Sequence, residues 1–286
     1  MKNLNENIRA RRSFIFAPAL KPEMFPKALS SGADIVCLEL EDGVAPKHKS
    51  TARINAIEIV ENEKEISDKV ERVIRVNSIR EEFGLHDLVG ILNAKKSPQS
   101  LMIPKVKSAS EIKIIDDLLS EKNLNTRLQI IIETNEGLES CIEIAQSSKR
   151  IDALLFGLVD MSADLRCPNN WDALYYARSK AVHAAASAGI DIIDGPHLDL
   201  NDEEGLIKSC KLAKNLGFSG KGSIHPKQIP VINKIFTPTA SEIEKAKLII
   251  EEFKKSDTGL VVIDGKLIEK PVIRNMYRIL EIAKII

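Results

Sequence analysis

Short apolar runs alternate with longer amphipathic stretches along most of this 286-residue chain. The runs predict strands at Ser13–Pro18, Asp34–Asp42, Arg72–Asn77, Leu101–Lys105, Leu128–Glu133, Ala153–Gly157, Asp191–Gly195 and Gly220–Ile224, the last weakened by its glycines. Helical stretches are expected at Pro22–Ser31, Lys47–Glu61, Gly84–Ala94, Ala109–Lys122, Gly137–Ser147, Leu174–Ala188, Glu203–Leu216 and Lys227–Ile235. Strands joined by crossover helices pair in parallel, and eight such units close a barrel. The fold class is therefore α/β, a (β/α)8 TIM barrel. An open doubly wound sheet is the alternative, but it usually carries a glycine-rich turn after its first strand. The segment FAPALKP, Phe16–Pro22, has none.

Pro238 punctuates the chain after the eighth unit. Ala240–Lys255 reads as another helix, Leu260–Val272 as a hairpin turning at Asp264-Gly265, and Ile273–Ile286 as a closing helix. The barrel is thus assigned to residues 1–237, and residues 238–286 to a C-terminal helix–hairpin–helix extension. A barrel does not need this tail, so it is expected to serve as a lid or an oligomer contact.

Composition narrows the class. At 44% hydrophobic residues the chain can bury a large core. Lys+Arg and Asp+Glu are equal at 41 each, which gives no reason to expect a nucleic acid or an anionic membrane as partner. Cys37, Cys141, Cys167 and Cys210 lie far apart with no C-x-x-C pair, and are expected as reduced thiols, with Cys37 and Cys141 buried. The N-terminus lacks the apolar stretch of a signal peptide, and no apolar run approaches the roughly 18 residues that span a bilayer. A soluble, cytoplasmic protein is expected.

Candidate chemistry sits where the apolar runs end, because catalytic groups of such a barrel come from the C-terminal ends of its strands. Glu133 and Asp160 follow two adjacent runs. Paired carboxylates with room for water suit Mg²⁺; two solvated acids are the other reading. Alternation puts Arg75 on the same side as Val73 and Asn77, on a strand covered on both faces. Its planar fork can meet a substrate oxygen, or an ion pair with Glu39 or Glu41. Alternation also puts Glu39 and Glu41 on one face, with Asp42 at the strand exit. These acids could orient Arg75 or metal-bound water, or form a satisfied structural pair. Lys105 and His225 could simply cap the barrel mouth, and Tyr175 and Tyr176 read as helix packing. Lys21 and Lys27 could meet a phosphate, although alone they are ordinary surface lysines.

Together these pieces resemble one family. RRSFIFAPALKPEMFPKAL, GADIVCLELEDGVAPKHK, RVIRVNS, LMIPKV, IIIETNEGL, LLFGLVDMSADL, YYARSKAV, GFSGKGSIHPKQI and DGKLIEKPV run in order over almost the whole chain. They resemble the citrate lyase β-subunit-like branch of the HpcH/HpaI aldolase family, with its malyl-CoA and citramalyl-CoA lyases. The resemblance implies a (β/α)8 barrel assembled as a trimer or hexamer, with Mg²⁺ held by Glu133 and Asp160. It implies that Arg75 holds substrate oxygens, and that Phe16, Lys21 and Lys27 contact the CoA or carrier arm. Glu41 and Asp42 join the substrate-binding set. The C-terminal hairpin would cover a neighbouring subunit's site and supply an acid there.

Two positions depart from the family pattern. Relatives commonly read Asp-Leu-Glu-Asp where this chain has Glu39-Leu40-Glu41-Asp42. The lid commonly reads G-K-M-I/V-D, its aspartate being the acid/base, and GKLIE puts Glu269 there; Asp264 matches a turn position. The implied reaction is reversible carbon–carbon cleavage of a 3-hydroxyacyl-CoA such as malyl-CoA or citramalyl-CoA to a 2-keto acid and a thioester enolate. Arg75 would stabilise the developing negative oxygen and Glu269 would move the proton. Three other readings stand beside it: a citrate lyase β subunit acting on a carrier thioester inside a complex, a class II pyruvate aldolase, and a non-catalytic paralogue.

Overall fold

The structure is a computed structural model describing residues 9–62, 70–256, 260–263, 265–268 and 270–285. The chain divides into two compact units. One is Arg11–Asn233; the other comprises the described residues on either side of it.

The first unit is a closed barrel of eight parallel strands in sequential order. They are β1 (Ser13–Pro18), β2 (Ile35–Glu39), β3 (Glu71–Arg75), β4 (Ser100–Ile103), β5 (Arg127–Ile132), β6 (Ile151–Phe156), β7 (Asp191–Asp194) and β8 (Gly220–Ser223). Alternate positions point inward, as the two-residue strand period requires. Phe14, Ile35, Cys37, Val73, Met102, Ile131, Leu155 and Ile193 meet as one buried cluster drawn from β1–β7. The β8 run is glycine-rich for a steric reason: a Cβ on Gly220 would lie 2.0 Å from the Arg11 carbonyl oxygen. The feature that weakens β8 as a strand signal therefore lets it pack where it does.

Polar residues close the N-terminal end of the barrel. Buried Arg11 sets Nε 2.7 Å from Glu71 Oε2, Nη1 2.9 Å from Asp191 Oδ2 and Nη2 3.3 Å from Asp152 Oδ2. Ser100 and Gln129 donate to the other Glu71 oxygen, each at 2.9 Å. The buried charges are thereby paired and hydrogen-bonded, which buried charges require.

Two expected helices are broken. The stretch after β5 forms Asn135–Glu139 and Cys141–Gln146, because Ser140 ends one turn and begins the next. Pro22–Ser31 forms a 3₁₀ turn, Pro22–Met24, leading into Phe25–Leu29. A further helix, Leu158–Asp164, directly follows β6 and was not expected from the sequence. All four cysteines are free thiols, and Cys37, Cys141 and Cys210 are buried. Among the described residues, no helix is long and apolar enough to cross a membrane.

In the second unit, the helix Ala240–Lys255 starts at a capping box, in which Thr239 and Glu242 satisfy each other's backbone N–H groups. Strands β9 (Val261–Ile263) and β10 (Lys266–Ile268) pair antiparallel across the Gly265 turn, whose φ of 72° suits glycine. Ile249, Ile268 and Ile273 anchor a small core with Phe253, Val261, Ile263 and Met276. The last helix, Lys270–Ile285, begins three residues before its expected start.

Candidate active site

Glu133 follows the last residue of β5, so alternation points its side chain up the lumen from Ile131. The residue is only 3% exposed. One oxygen, Oε1, accepts the Lys105 backbone N–H at 2.8 Å. The other lies against Gly157, where a Cβ would come within 2.4 Å of it. Gly157 therefore leaves room for the second carboxylate oxygen. Burial pushes the Glu133 carboxyl up to about 8, and the charges of Glu41 and Asp160 add to the effect.

Asp160 is not at a strand terminus. It sits in the first turn of Leu158–Asp164, half-buried. Burial raises its pKa as well, with the Asp42 charge next in weight. Glu133 and Asp160 line one cavity of about 520 Å³, together with Ser78, Arg80, Lys105 and Lys107.

Arg75 ends β3 and points inward, above Val73. Its Nε lies 2.6 Å from Glu39 Oε2 and its Nη1 3.2 Å from Glu41 Oε2. The guanidinium also covers the Phe16 ring, 4.4 Å from its centroid. Burial works against the charge, but Glu39 and Glu41 outweigh it and hold Arg75 firmly protonated. Arg75 thus pairs with both acids. Glu39 also accepts the Glu41 backbone N–H at 2.6 Å, so it fixes both Arg75 and its own loop.

Lys105 is more than a cap. It adopts a left-handed φ of 53°, uncommon for a side chain with a Cβ. Its Nζ is 2.5 Å from Glu41 Oε1 and 3.1 Å from Asp42 Oδ1. Burial opposes the ionised form of Asp42, but the Lys105 hydrogen bond and charge bring its pKa below the usual range. Glu41, more deeply buried, is raised. Below this layer, buried Lys49 donates to the Leu40 carbonyl at 3.2 Å and the Glu41 carbonyl at 3.0 Å, and also to Asn77 Oδ1. Asn77 in turn binds Asp87. These contacts secure the ends of β2 and β3, from which Glu39, Glu41 and Arg75 project.

The remaining candidates divide. Phe16 belongs to the site through Arg75. Lys21 and Lys27 are exposed on the segment following β1. His225 accepts the Lys227 N–H at 3.1 Å, a local turn contact. Tyr175 and Tyr176 are 51% and 67% exposed and do not pack a core. Glu269 and Asp264 lie outside the described residues.

Among the described residues, no three His, Cys, Asp or Glu side chains are grouped as a complete metal site. The donors available are two carboxylates at the edge of a cavity, with crowded negative charge. That set fits a hard divalent cation that keeps several non-protein ligands, as Mg²⁺ does.

The fold and this carboxylate-lined mouth define a (β/α)8 barrel protein with a candidate metal site at the C-terminal ends of its strands. The chain belongs to the HpcH/HpaI aldolase/citrate lyase family, whose sequence profile matches residues 12–226. It is 32% identical to the citrate lyase subunit beta of Haemophilus influenzae, over 97% of this chain and 98% of that protein. It is 31% identical to the L-malyl-CoA/beta-methylmalyl-CoA lyase of Cereibacter sphaeroides, over 97% and 96%. Among solved structures, Mycobacterium tuberculosis CitE in complex with magnesium, acetoacetate and coenzyme A superposes with a TM-score of 0.77. The sequence identity is 26%, with 96% of this chain and 98% of that one covered.

Proposed function

We propose that this protein is a Mg²⁺-dependent acyl-CoA carbon–carbon lyase, cleaving a 3-hydroxyacyl thioester such as malyl-CoA or citramalyl-CoA. The observation that carries this reading is the Glu133–Asp160 pair. One of these carboxylates is buried, both are raised in pKa, and both border one cavity. The lyase names of relatives matching almost the whole chain support the reaction class.

Glu133 and Asp160 would hold the cation, which supplies Lewis acidity to the 2-hydroxy-acid end of the substrate. Arg75 is held by Glu39, Glu41 and Phe16, and its five-donor guanidinium would also serve a substrate oxygen. A positive donor fixed before reaction stabilises the oxygen that gains charge as the carbon–carbon bond breaks. Phe16, Lys21 and Lys27 would receive the CoA arm. Glu269, from a second copy of the chain, would protonate the enolate carbon or remove that proton in the reverse direction. Assembly as a trimer or hexamer would bring that lid into place. Val262 and Leu267, cross-strand partners on the hairpin, are 69% and 57% exposed, and such an outward apolar pair suits a subunit contact.

The deciding experiment is turnover of malyl-CoA, citramalyl-CoA and citryl-CoA with Mg²⁺, by wild type, Glu133→Ala and Asp160→Ala. Release of a 2-keto acid by wild type alone is the expected result. Equal turnover by all three removes the metal assignment. A second reading is favoured by the full-length match to citrate lyase subunit beta: the same chemistry on a carrier-protein thioester, inside a complex. That reading predicts no turnover of free CoA esters and cleavage of the carrier-bound acyl group.

A further inference from the structure

We infer that Lys105 sets how many protein carboxylates can reach the cation, by holding Glu41 and Asp42 away from the Glu133–Asp160 pair. This rests on the reading that the pair binds a divalent metal ion.

Five acids crowd the barrel mouth: Glu39, Glu41, Asp42, Glu133 and Asp160. Each already has a definite relationship to its neighbours. Glu39 is committed to Arg75 and to the Glu41 backbone. Glu41 is the neighbouring charge that acts most strongly on Glu133, and Asp42 the one that acts most strongly on Asp160. Lys105 joins the two groups geometrically, with its backbone on Glu133 and its side chain on Glu41 and Asp42. Its Nζ lies 2.5 Å from Glu41 and 3.1 Å from Asp42.

The same residue serves Glu133 through its backbone. Its N–H occupies Glu133 Oε1 at 2.8 Å and leaves Oε2 in the space beside Gly157. One residue in a left-handed conformation thus orients a ligand with its main chain and restrains two competing acids with its side chain. Lys105 is a positioning residue; nothing assigns it contact with substrate.

The consequence follows from coordination chemistry. Mg²⁺ holds one or two carboxylates and retains waters, whereas Ca²⁺ accepts six to eight oxygens from several carboxylates. Without the ammonium, Asp42 loses its cationic partner and Glu41 keeps only Arg75. Both would then be drawn toward the bound cation. The metal would bind more tightly, Ca²⁺ would gain most, and fewer coordination positions would remain for a substrate carboxylate. A merely structural role for Lys105 predicts the opposite sign, because a loosened mouth would bind metal more weakly.

Lys105→Met removes the charge while keeping the backbone N–H and an unbranched stem. Titration calorimetry with Mg²⁺ alone and Ca²⁺ alone, on the full chain, reads the effect without turnover. In Lys105→Met, Ca²⁺ should bind about tenfold tighter and Mg²⁺ about threefold tighter than in wild type; loss of a positive charge favours both ions alike, and the larger Ca²⁺ gain reports the recruited carboxylates. Lys105→Gln should give the same sign, and Lys105→Arg should stay within about twofold of wild type. Adding Glu41→Gln and Asp42→Asn to Lys105→Met should abolish the gain. Unchanged or weaker binding of both cations by either neutral variant, with the wild-type melting temperature retained, overturns the inference. Equal Mg²⁺ binding by wild type and Glu133→Ala overturns instead the metal assignment beneath it.

Discussion

Glu39 grips Arg75 from the neighbouring strand, with 2.6 Å between Oε2 and Nε, while its other oxygen accepts the Glu41 N–H at 2.6 Å. One carboxylate thus orients both the guanidinium and the β2 exit loop. The glutamate stem is needed for this double reach. It is also tightly seated, since a Cβ on Gly43 would meet its Cγ at 2.8 Å. The longer residue at this position of the family pattern has a defined task here.

Glu39→Gln should leave the barrel folded but lose the charge-assisted hold on Arg75. We expect kcat/KM to fall roughly 10- to 100-fold, the range for losing a partner that orients a site residue from behind. Glu39→Asp, one methylene shorter, should fall between the two, because it can keep one of the two contacts but not both. Steady-state kinetics of thioester cleavage, with circular dichroism as the folding control, checks the order.

Gly157→Ala should damage the metal site from behind. The new methyl group would collide with Glu133 Oε2 at 2.4 Å and with its Cβ at 2.5 Å. Displacing a ligand in this way commonly costs about 10- to 100-fold in metal affinity. Calorimetric titration with Mg²⁺ should show that loss. An unchanged affinity would mean that the second Glu133 oxygen is not a ligand.

Glu269→Ala should separate proton transfer from metal binding. Turnover should drop by about 10²- to 10⁴-fold, the usual worth of a positioned acid or base, while Mg²⁺ affinity stays at the wild-type value. Glu269→Asp should recover part of the rate. Mixing Glu269→Ala subunits with subunits carrying Glu133→Ala should restore some activity if the acid comes from a second copy.

Asp116 offers a pH test remote from the site. Burial raises its pKa, but hydrogen bonds from Ser148 and Arg150 and the Arg150 charge outweigh burial and lower it. A carboxyl held lower in the folded than in the unfolded state adds stability above its unfolded pKa. That contribution is lost as pH falls through the folded value. Asp116→Asn should therefore be less stable at pH 7, by about 1 kcal/mol for a part-buried pair at the surface. The difference from wild type should shrink toward pH 3, as urea melts at the two pH values would show.

Much of this molecule was legible in the sequence because its signals are local. Each of the eight strands lies within two residues of its expected ends or inside the expected span. A buried parallel strand is a compact apolar run that breaks sharply at its ends. Alternation alone put Arg75 on the side of Val73 and Glu39 on the side of Glu41, and the buried cluster shows that Val73 and Cys37 point inward. The helix Leu158–Asp164 escaped because Gly157 and a seven-residue segment give too short a periodic pattern. Tyr175 and Tyr176 were misjudged for a related reason. The interior of their helix, Tyr175–Ala188, is packed mainly by small alanines, so the large aromatic residues at its start stay outside.

By itself, the sequence determined the number and order of the β/α units, which strand residues share a face and the identity of the crowded acids. These follow from two- and 3.6-residue periods, which are properties of neighbouring positions. Only the tertiary structure decided how the acids share their cations. Glu39 and Glu41 divide Arg75, Glu41 and Asp42 divide Lys105, and Glu133 faces the cavity with one oxygen against Gly157. Those pairings join residues on five different strands or strand exits. The barrel sets their ends side by side, and burial there draws Arg75 and Lys105 onto the acids within reach.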